Sequence, residues 1–218
     1  MQLVEVAVPN GNMESPMNPK LISRSRTAGF SLVELMIVVA IAFVIAAVGI
    51  PQAMGAYRTY QLNNAATKVA GILRFTRLEA IRQNKPVTCR GQAGPGGGVL
   101  IWADEPAPGF PNGDSIPQPT ETQTLLTPNA DTVPAAGVPG TAAIAASLGV
   151  GALTDATVGA GGVQFDQRGA VNPVGVFYII CIQNTVVPTA GYRAVIVMPS
   201  GATQIWSTNP AGNWIRAN

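Results

Sequence analysis

The residues from 30 to 50 read FSLVELMIVVAIAFVIAAVGI, and this stretch decides how the rest of the chain is organised. It contains 21 residues, among which Glu34 is the only charged side chain. An α-helix rises about 1.5 Å per residue, so about 20 apolar residues cross a hydrocarbon core roughly 30 Å thick. The stretch therefore predicts a transmembrane helix near the N-terminus.

Basic residues before this stretch predict its orientation. Lys20, Arg24 and Arg26 precede it, and no acidic residue lies between Lys20 and Gly29. Because positive charge is retained on the cytoplasmic side of a membrane, we expect a cytoplasmic N-terminus and an exported chain after residue 50. A cleaved secretory signal is one alternative, but its apolar region would span only about 7–15 residues. A plain membrane anchor is another.

The composition excludes several classes of function. The 218 residues include 24 Gly, 18 Pro, 2 Cys and no His, with a net charge of +2 and a charged fraction of 11%. A strongly basic nucleic-acid-binding arm and an acidic disordered tail are therefore excluded. Without histidine, Ser-His-Asp triads, Cys-His pairs and HExxH zinc sites are excluded as well. We expect no enzymatic activity, no metal and no cofactor.

The start of the apolar stretch resembles a known processing signal. Residues 28–35 read AGFSLVEL, which is similar to the class III signal of type IV prepilins and of type II secretion pseudopilins. The resemblance implies that prepilin peptidase cuts after Gly29 and methylates the new N-terminal residue, Phe30. Glu34 would then be the fifth residue of the mature chain. Pro51 stands where pilins carry a helix-loosening proline.

The carboxylate of Glu34 supports this interpretation independently. A carboxylate inside a membrane helix costs up to about 2.5–3.5 kcal/mol, and no Lys or Arg lies between Arg26 and Arg58. Cleavage after Gly29 would create a cation at Phe30, because an α-amino group has a pKa of about 8. Glu34 of one subunit would then pair with the Phe30 amino group of a neighbouring copy. The alternative is a carboxylate that reaches the headgroups or is protonated.

The helical pattern continues beyond the membrane segment. Apolar or small residues recur at spacings of three and four, which predicts one buried stripe on a helix. Its members are Leu62, Ala66, Val69, Leu73, Thr76 and Ala80. Because a proline disfavours helical conformation in the residue before it, Pro86 predicts a helix end near Asn84. The chain is thus divided into a leader at 1–29, a transmembrane helix at 30–50 and an amphipathic continuation at 51–85.

Residues 86–218 are predicted to form an exported β-rich domain. Runs rich in β-branched and aromatic residues indicate strands at 86–90, 98–104, 163–166, 174–183 and 192–198, with a hairpin that returns through 203–206. One long helix packed on a mainly antiparallel sheet is an α+β fold.

Residues 91–162 differ in composition from the rest of this domain. They contain 14 glycines and 9 prolines among 72 residues, and few large apolar side chains. This composition predicts a Gly/Pro-rich insertion that lies outside the sheet and becomes ordered mainly against a partner. A short helix or strand is expected near 142–148.

Three further sequences resemble the GspH/FimT group of minor pseudopilins: RLEAIRQN at 77–84, VQFDQRG at 163–169 and YRAVIV at 192–197. The resemblance implies a pilin-like fold and a structural subunit of a type IV pilus or a type II secretion pseudopilus. It also implies prepilin peptidase and other pilins or pseudopilins as partners, the latter through the N-terminal helix. The expected location is the inner membrane, with the C-terminal domain in the periplasm.

A DNA-capturing minor pilin is the alternative function that this resemblance raises. Some FimT-like minor pilins are expected to bind DNA with basic residues near the C-terminal hairpin. Here Ala202, Thr203 and Gln204 follow the hairpin turn, and none is basic. Residues 51–90 hold seven basic residues against one acid, Glu79. This charge predicts either a solvated helix face or a surface for phosphates.

Cys89 and Cys181 both fall on predicted strands. Export into an oxidising compartment permits a disulfide between them. Two buried free thiols are the alternative. Two cysteines without histidine do not favour a metal site.

Overall fold

The computed structural model describes residues 29–94, 98–110, 113–126, 129–157, 161–186, 191–208 and 213–217. Apart from Gly29, the predicted leader lies outside these residues. The chain divides into two compact units, Met1–Ile45 and Ala46–Asn218. The described part of the first unit is helical from Leu32 onward, and the second unit contains all the strands.

Helix α1 covers Leu32–Gln83, a length of 52 residues. It ends one residue before the predicted position. Asn84 adopts a φ of 52°, a left-handed conformation that asparagine tolerates better than most residues. The N–H groups of Asn84 and Lys85 donate to the carbonyl oxygens of Ile81 (3.3 Å) and Ala80 (3.2 Å). These two bonds form a Schellman motif, which satisfies carbonyl groups of the last turn.

Eleven strands and one further helix follow α1 among the described residues. In chain order they are β1 (Val87–Ala93), β2 (Val99–Asp104), β3 (Gln123–Leu125), β4 (Ala130–Val133), α2 (Thr141–Ser147), β5 (Thr154–Asp155), β6 (Val163–Phe165), β7 (Val171–Asn172), β8 (Tyr178–Asn184), β9 (Tyr192–Val197), β10 (Thr203–Thr208) and β11 (Trp214–Arg216). A 3-10 turn covers Ala135–Gly137.

The strands form two sheets. Sheet 1 has the order β3-β2-β1-β6-β7, and sheet 2 has the order β11-β10-β9-β8-β4. Neighbours in both sheets are antiparallel, while β5 lies parallel to β8. The predicted α+β fold and the predicted hairpin, β9–β10, are confirmed. The single sheet that we expected is two sheets.

The main core joins the second half of α1 to strands of both sheets. Every member of the predicted stripe from Leu62 to Ala80 is fully buried. The stripe packs against apolar side chains that include Phe165 of sheet 1 and Ile182 of sheet 2. Its one polar member, Thr76, donates its hydroxyl to the Ile72 carbonyl at 2.8 Å, which satisfies the buried group.

A second core lies on the other face of sheet 2. Alternate residues of a strand point to opposite faces, so Ile180 and Ile182 of β8 enter the main core while Ile179 and Cys181 enter the second. There they pack with residues that include Ile144 of α2. Because β8 is buried on both faces, its sequence is a continuous apolar run rather than an alternating one.

Strand β2 confirms the strand predicted at 98–104, but the expectation that the rest of residues 91–162 lies outside the sheet is wrong for the described residues. Strands β2 and β3 belong to sheet 1, β4 and β5 pair with β8 of sheet 2, and α2 covers the second core. Buried side chains in this region include Trp102, Leu126 and Ile144. Composition was misleading because each of these elements is short, so a few apolar residues between turns are enough to bury one face.

The structure contains Cys89 and Cys181 as free, buried thiols. Cys89 lies in the main core and Cys181 in the second core, so a disulfide would have to cross sheet 2. Burial raises the pKa of each thiol to about 12. Both therefore stay protonated and unreactive at neutral pH. Of the two alternatives, the structure has the free thiols.

Candidate functional site: the N-terminal half of helix α1

Residues 30–50 form an apolar surface that the described residues do not cover. The large apolar side chains of this stretch have exposed fractions from 43% at Val39 to 78% at Phe30. An 18-residue window of α1 has a mean hydropathy of 2.8 and contains no buried residue. Water-soluble monomers rarely expose a continuous apolar patch of more than a few hundred Å². Among the described residues, α1 is the one helix long and apolar enough to cross a membrane.

The junction between Gly29 and Phe30 precedes the first helical turn. The carbonyl of Ser31 accepts the N–H of Leu35 at 3.1 Å, which makes Ser31 the N-cap of α1. No atom lies within 4 Å of the position that a Cβ on Gly29 would occupy. The Gly29–Phe30 peptide bond thus lies outside the helix, and both residues are exposed.

Glu34 lies in the first turn of α1 and is exposed. A carboxylate at a helix N-terminus interacts favourably with the helix dipole. The two ion pairs among the described residues are Glu79–Arg82 and Asp104–Arg90, and neither includes Glu34. Within the part of the chain that the structure describes, Glu34 therefore forms no ion pair.

Pro51 lies inside α1, which continues through it. Because proline has no N–H, the carbonyl of Ala47 lacks its usual helical donor. Gly49 and Gly55 flank the proline, and neither has an atom within 4 Å of a Cβ position. Glycine costs about 1 kcal/mol in a helix interior and proline about 3. This segment is therefore the part of α1 with the weakest intrinsic helicity.

The second half of α1 uses its basic residues to hold the helix against the sheets and loops of the same unit. Three of them donate to atoms far away in sequence: Lys68 Nζ to the Leu125 carbonyl (3.2 Å), Arg74 Nε to Thr203 Oγ1 (2.9 Å) and Arg77 Nε to the Gly169 carbonyl (3.0 Å). Arg82 and Arg90 form the two ion pairs. Five of the seven basic residues at 51–90 are thus engaged within the chain, which favours a structural role over a DNA-binding face.

Glu79 belongs to a group of hydrogen-bonded side chains that connects the last turn of α1 to the chain after β2. It accepts hydrogen bonds from Arg82 and, at 2.5 Å, from Gln83 Nε2, which also donates to Glu105 Oε2 at 2.8 Å. The hydrogen bonds from Arg82 outweigh the opposing effect of burial and lower the pKa of Glu79. The charged carboxylate therefore stabilises the end of the helix.

A buried arginine was not recognised from the sequence. Arg193 is 6% exposed, and its Nε donates to Asn63 Oδ1 at 2.7 Å while Nη1 donates to the Tyr192 carbonyl at 2.8 Å. Burial lowers the pKa of its guanidinium. The bond to Asn63 connects β9 to α1 near the start of the buried stripe. The only sequence signal was one charged residue in the apolar run YRAVIV.

The structure places Gly29, Phe30 and Glu34 in one exposed segment, with Pro51 further along the same helix. Cys89 and Cys181 lie in separate cores and belong to no common site.

Comparisons with known proteins agree with these features. The sequence model of the type II transport protein GspH matches residues 65–201, and that of the prokaryotic N-terminal methylation motif matches residues 24–50. A comparison with curated proteins gave no match.

Solved structures that are similar to this chain include two minor proteins of filament systems. The type IV minor pilin FimU of Pseudomonas aeruginosa is 16% identical, with a TM-score of 0.44, and covers 72% of this chain and 93% of its own. The minor pseudopilin EpsH from the type 2 secretion system of Vibrio cholerae is 11% identical, with a TM-score of 0.42, and covers 67% of this chain and 97% of its own.

The GspH match spans the second half of α1 and most of both sheets, and the methylation motif includes Gly29, Phe30 and Glu34. The resemblance noted in the sequence is confirmed. The chain belongs to the GspH family, whose members are structural subunits, and it is a minor pilin or pseudopilin of a type IV pilus or a type II secretion system.

Proposed function

We propose that prepilin peptidase removes residues 1–29, that Phe30 becomes the methylated N-terminus, and that Glu34 joins the mature chain to a neighbouring subunit. The methylation motif at 24–50 supports the first two steps. The Gly29–Phe30 bond precedes the helix and both residues are exposed, which suits cleavage because a peptidase needs accessible chain.

In this proposal the precursor resides in the inner membrane, with its N-terminus in the cytoplasm and the unit that contains the sheets in the periplasm. The basic residues Lys20, Arg24 and Arg26 support this orientation, because positive charges stay on the cytoplasmic side. The helix at 30–50 is the anchor until assembly. Leaving the bilayer is then offset when the same apolar side chains pack against helices of other subunits.

The observation that carries the proposal is the exposed apolar half of α1 with a single carboxylate, four residues after the mature N-terminus. A methylated amino group at Phe30 stays positively charged, and it would lie just before the first turn of α1, which contains Glu34. In two adjacent helices, the carboxylate of one pairs with the amino group of the other. A charged pair in an apolar core is favourable when both partners are present and costly when one is missing.

Pro51 has a separate role in this proposal. The segment around it has weak intrinsic helicity, so it is the part of α1 that loosens when the packing around the helix changes from lipid to protein. This loosening allows the apolar half of the helix to pack in the filament without displacing the buried stripe.

Glu34→Gln tests the pairing, with Glu34→Asp as its matched control. Glu34→Gln removes the charge and keeps the size, so we expect normal cleavage and membrane insertion. Recovery in sheared filaments should fall about tenfold or more, because an unpaired ammonium in an apolar core costs about 3–5 kcal/mol. Glu34→Asp keeps the charge and should retain most of the recovery. Normal recovery of Glu34→Gln would overturn the proposed pairing.

A further inference from the structure

A polar cleft opens on the face of sheet 1 that points away from the main core. Its volume is about 230 Å³, and it is lined by Arg90, Gly91, Gln92, Trp102, Ser115, Gly161 and Gly162. Arg90 of β1 and Trp102 of β2 are direct cross-strand partners, so their side chains share this face. A second polar cleft of about 400 Å³ shares Arg90, Gly161 and Gly162 with the first.

Trp102 carries a buried donor that has no acceptor among the described residues. The side chain is 2% exposed, and its Nε1–H makes no hydrogen bond there. Leaving a buried donor unpaired costs about 1–3 kcal/mol. The other two tryptophans differ, since Trp206 Nε1 donates to Gln204 Oε1 (3.3 Å) and Trp214 Nε1 to the Pro139 carbonyl (3.0 Å). Trp102 is also one of the residues that line the cleft, so a ligand there would lie beside this unpaired donor.

Arg90 adds further donors to the same cleft. Its Nε donates to Asp104 Oδ2 at 2.5 Å and its Nη1 to the Gly161 carbonyl at 3.3 Å, and neither bond uses Nη2. The Arg90 side chain is 25% exposed, whereas that of Asp104 is fully buried. Asp104 also accepts the backbone N–H of Ser115 at 3.2 Å. Asp104 thus has two donors, while the Arg90 Nη2 group is used by neither of the arginine's two bonds.

The two loops that border the cleft are held against sheet 1 at positions that only glycine fits. A Cβ on Gly113 would overlap the Asp104 carboxylate, and a Cβ on Gly162 would overlap the Cys89 carbonyl. Both glycines have positive φ, 87° and 80°. Ser115 has a φ of 64°, which is uncommon for a residue with a side chain. The backbone conformation of these two loops therefore determines the shape of the cleft.

We propose that this cleft binds a carboxylate. The indole N–H of Trp102, the Nη2 edge of Arg90, the Gln92 amide and the Ser115 hydroxyl give a donor-rich lining that suits a group with two acceptor oxygens. Because Asp104 already pairs with Arg90, the two side chains together carry no net charge. Asp104 would therefore repel a singly charged carboxylate less than a doubly charged phosphate. The carboxylate would come either from a small organic acid or from the C-terminus of a peptide.

The indole N–H signals of the three tryptophans can be used to measure carboxylate binding. In the full chain held in detergent micelles and labelled with ¹⁵N-tryptophan, the indole N–H signals are followed during titration with acetate, with a peptide that has a free C-terminal carboxylate, and with the same peptide amidated. We expect acetate or the free peptide, but not the amide, to shift the Trp102 signal saturably while Trp206 and Trp214 stay in place. The free peptide binding more tightly than acetate would identify a peptide C-terminus as the source.

Arg90→Lys keeps a cation beside Asp104 and removes the Nη2 edge, so it should weaken carboxylate binding about tenfold or more. Arg168→Lys, at an exposed position outside the cleft, is the matched control and should bind as the unchanged chain does. If Arg90→Lys moves the Trp206 and Trp214 signals, and so disturbs the fold, Trp102→Phe replaces it, with binding measured by calorimetry. A Trp102 signal that does not saturate with either carboxylate, or undiminished binding in the variants, would overturn the proposal.

Discussion

The two halves of helix α1 differ in how far other residues of the chain bury them. Large apolar side chains at 30–50 are at least 43% exposed, whereas the stripe from Leu62 to Ala80 is fully buried. The first half is apolar on all sides, and the second half is apolar on one side and basic or polar on the other. Helices of the first kind need lipid or other helices around them, and helices of the second kind pack on their own domain.

The difference in burial indicates that the two halves of α1 have different roles. The second half of α1 belongs to the fold, because the sheets of its own chain cover it and its basic residues hold it in place. The first half contributes no described residue to that core, and in our proposal it exchanges the bilayer for the helices of other subunits. A change in the second half should therefore affect the free energy of unfolding, and a change in the first half should affect assembly.

The largest expected effect comes from making the same substitution in each half. Leu73 is fully buried and Leu35 is 58% exposed. Leu73→Ala should lower the free energy of unfolding by about 2–5 kcal/mol, because it leaves a cavity in the main core. Leu35→Ala should change it by less than about 0.5 kcal/mol. Urea denaturation of both full-length variants in detergent measures the difference, and equal losses would show that the two halves are not distinct.

A smaller difference is expected between alanine substitutions at two glycines, of which only Gly201 lies against Arg77. A Cβ on Gly201 would overlap the Gly169 carbonyl and crowd Arg77, while Gly149 has open space around it. Both have positive φ, 78° and 70°. Gly149→Ala should therefore show only the conformational cost of about 1–2 kcal/mol. Gly201→Ala should lose about 1–3 kcal/mol more from the overlap. Similar melting temperatures for the two variants would show that this contact does not hold α1 in place.

The smallest effect is expected at the end of the second half. The lowered pKa of Glu79 means that its charged form stabilises the folded state above its unfolded pKa, and that this stabilisation is lost as pH falls through the folded value. Glu79→Gln should therefore differ from the unchanged chain at neutral pH and converge with it in acid. The difference should be below about 1 kcal/mol, because Arg82 is exposed. Arg82→Gln should reduce the same pH dependence; unfolding curves that stay parallel at all pH values would contradict the assignment.

The sequence predicted those parts of the fold that depend on local pattern. The apolar run at 30–50 and the stripe from Leu62 to Ala80 predicted α1, and the Pro-Ser-Gly turn at 199–201 predicted the β9–β10 hairpin. These features repeat within a few residues, so a helix or hairpin is readable without knowledge of the partner. The processing motif at 28–35 was equally local.

Features that depend on distant partners could not be predicted in the same way. Strands β3, β5 and β7 contain two or three residues each, which is too short to show an alternating pattern. The division into two sheets depends on β4 and β5 pairing with β8, many residues away. The cleft at Arg90 and Trp102 depends on strand register and on loops held by glycines. The sequence alone does not predict that Asp104 is buried and pairs with Arg90.

The N-terminal mass of the protein extracted from membranes tests the central claim most directly. If prepilin peptidase cleaves the chain so that the first half of α1 can act in assembly, the mature chain begins at Phe30 and carries one methyl group on its α-amino nitrogen. A chain that retains the leader, or one that begins near Tyr57 after ordinary signal cleavage, would contradict the account.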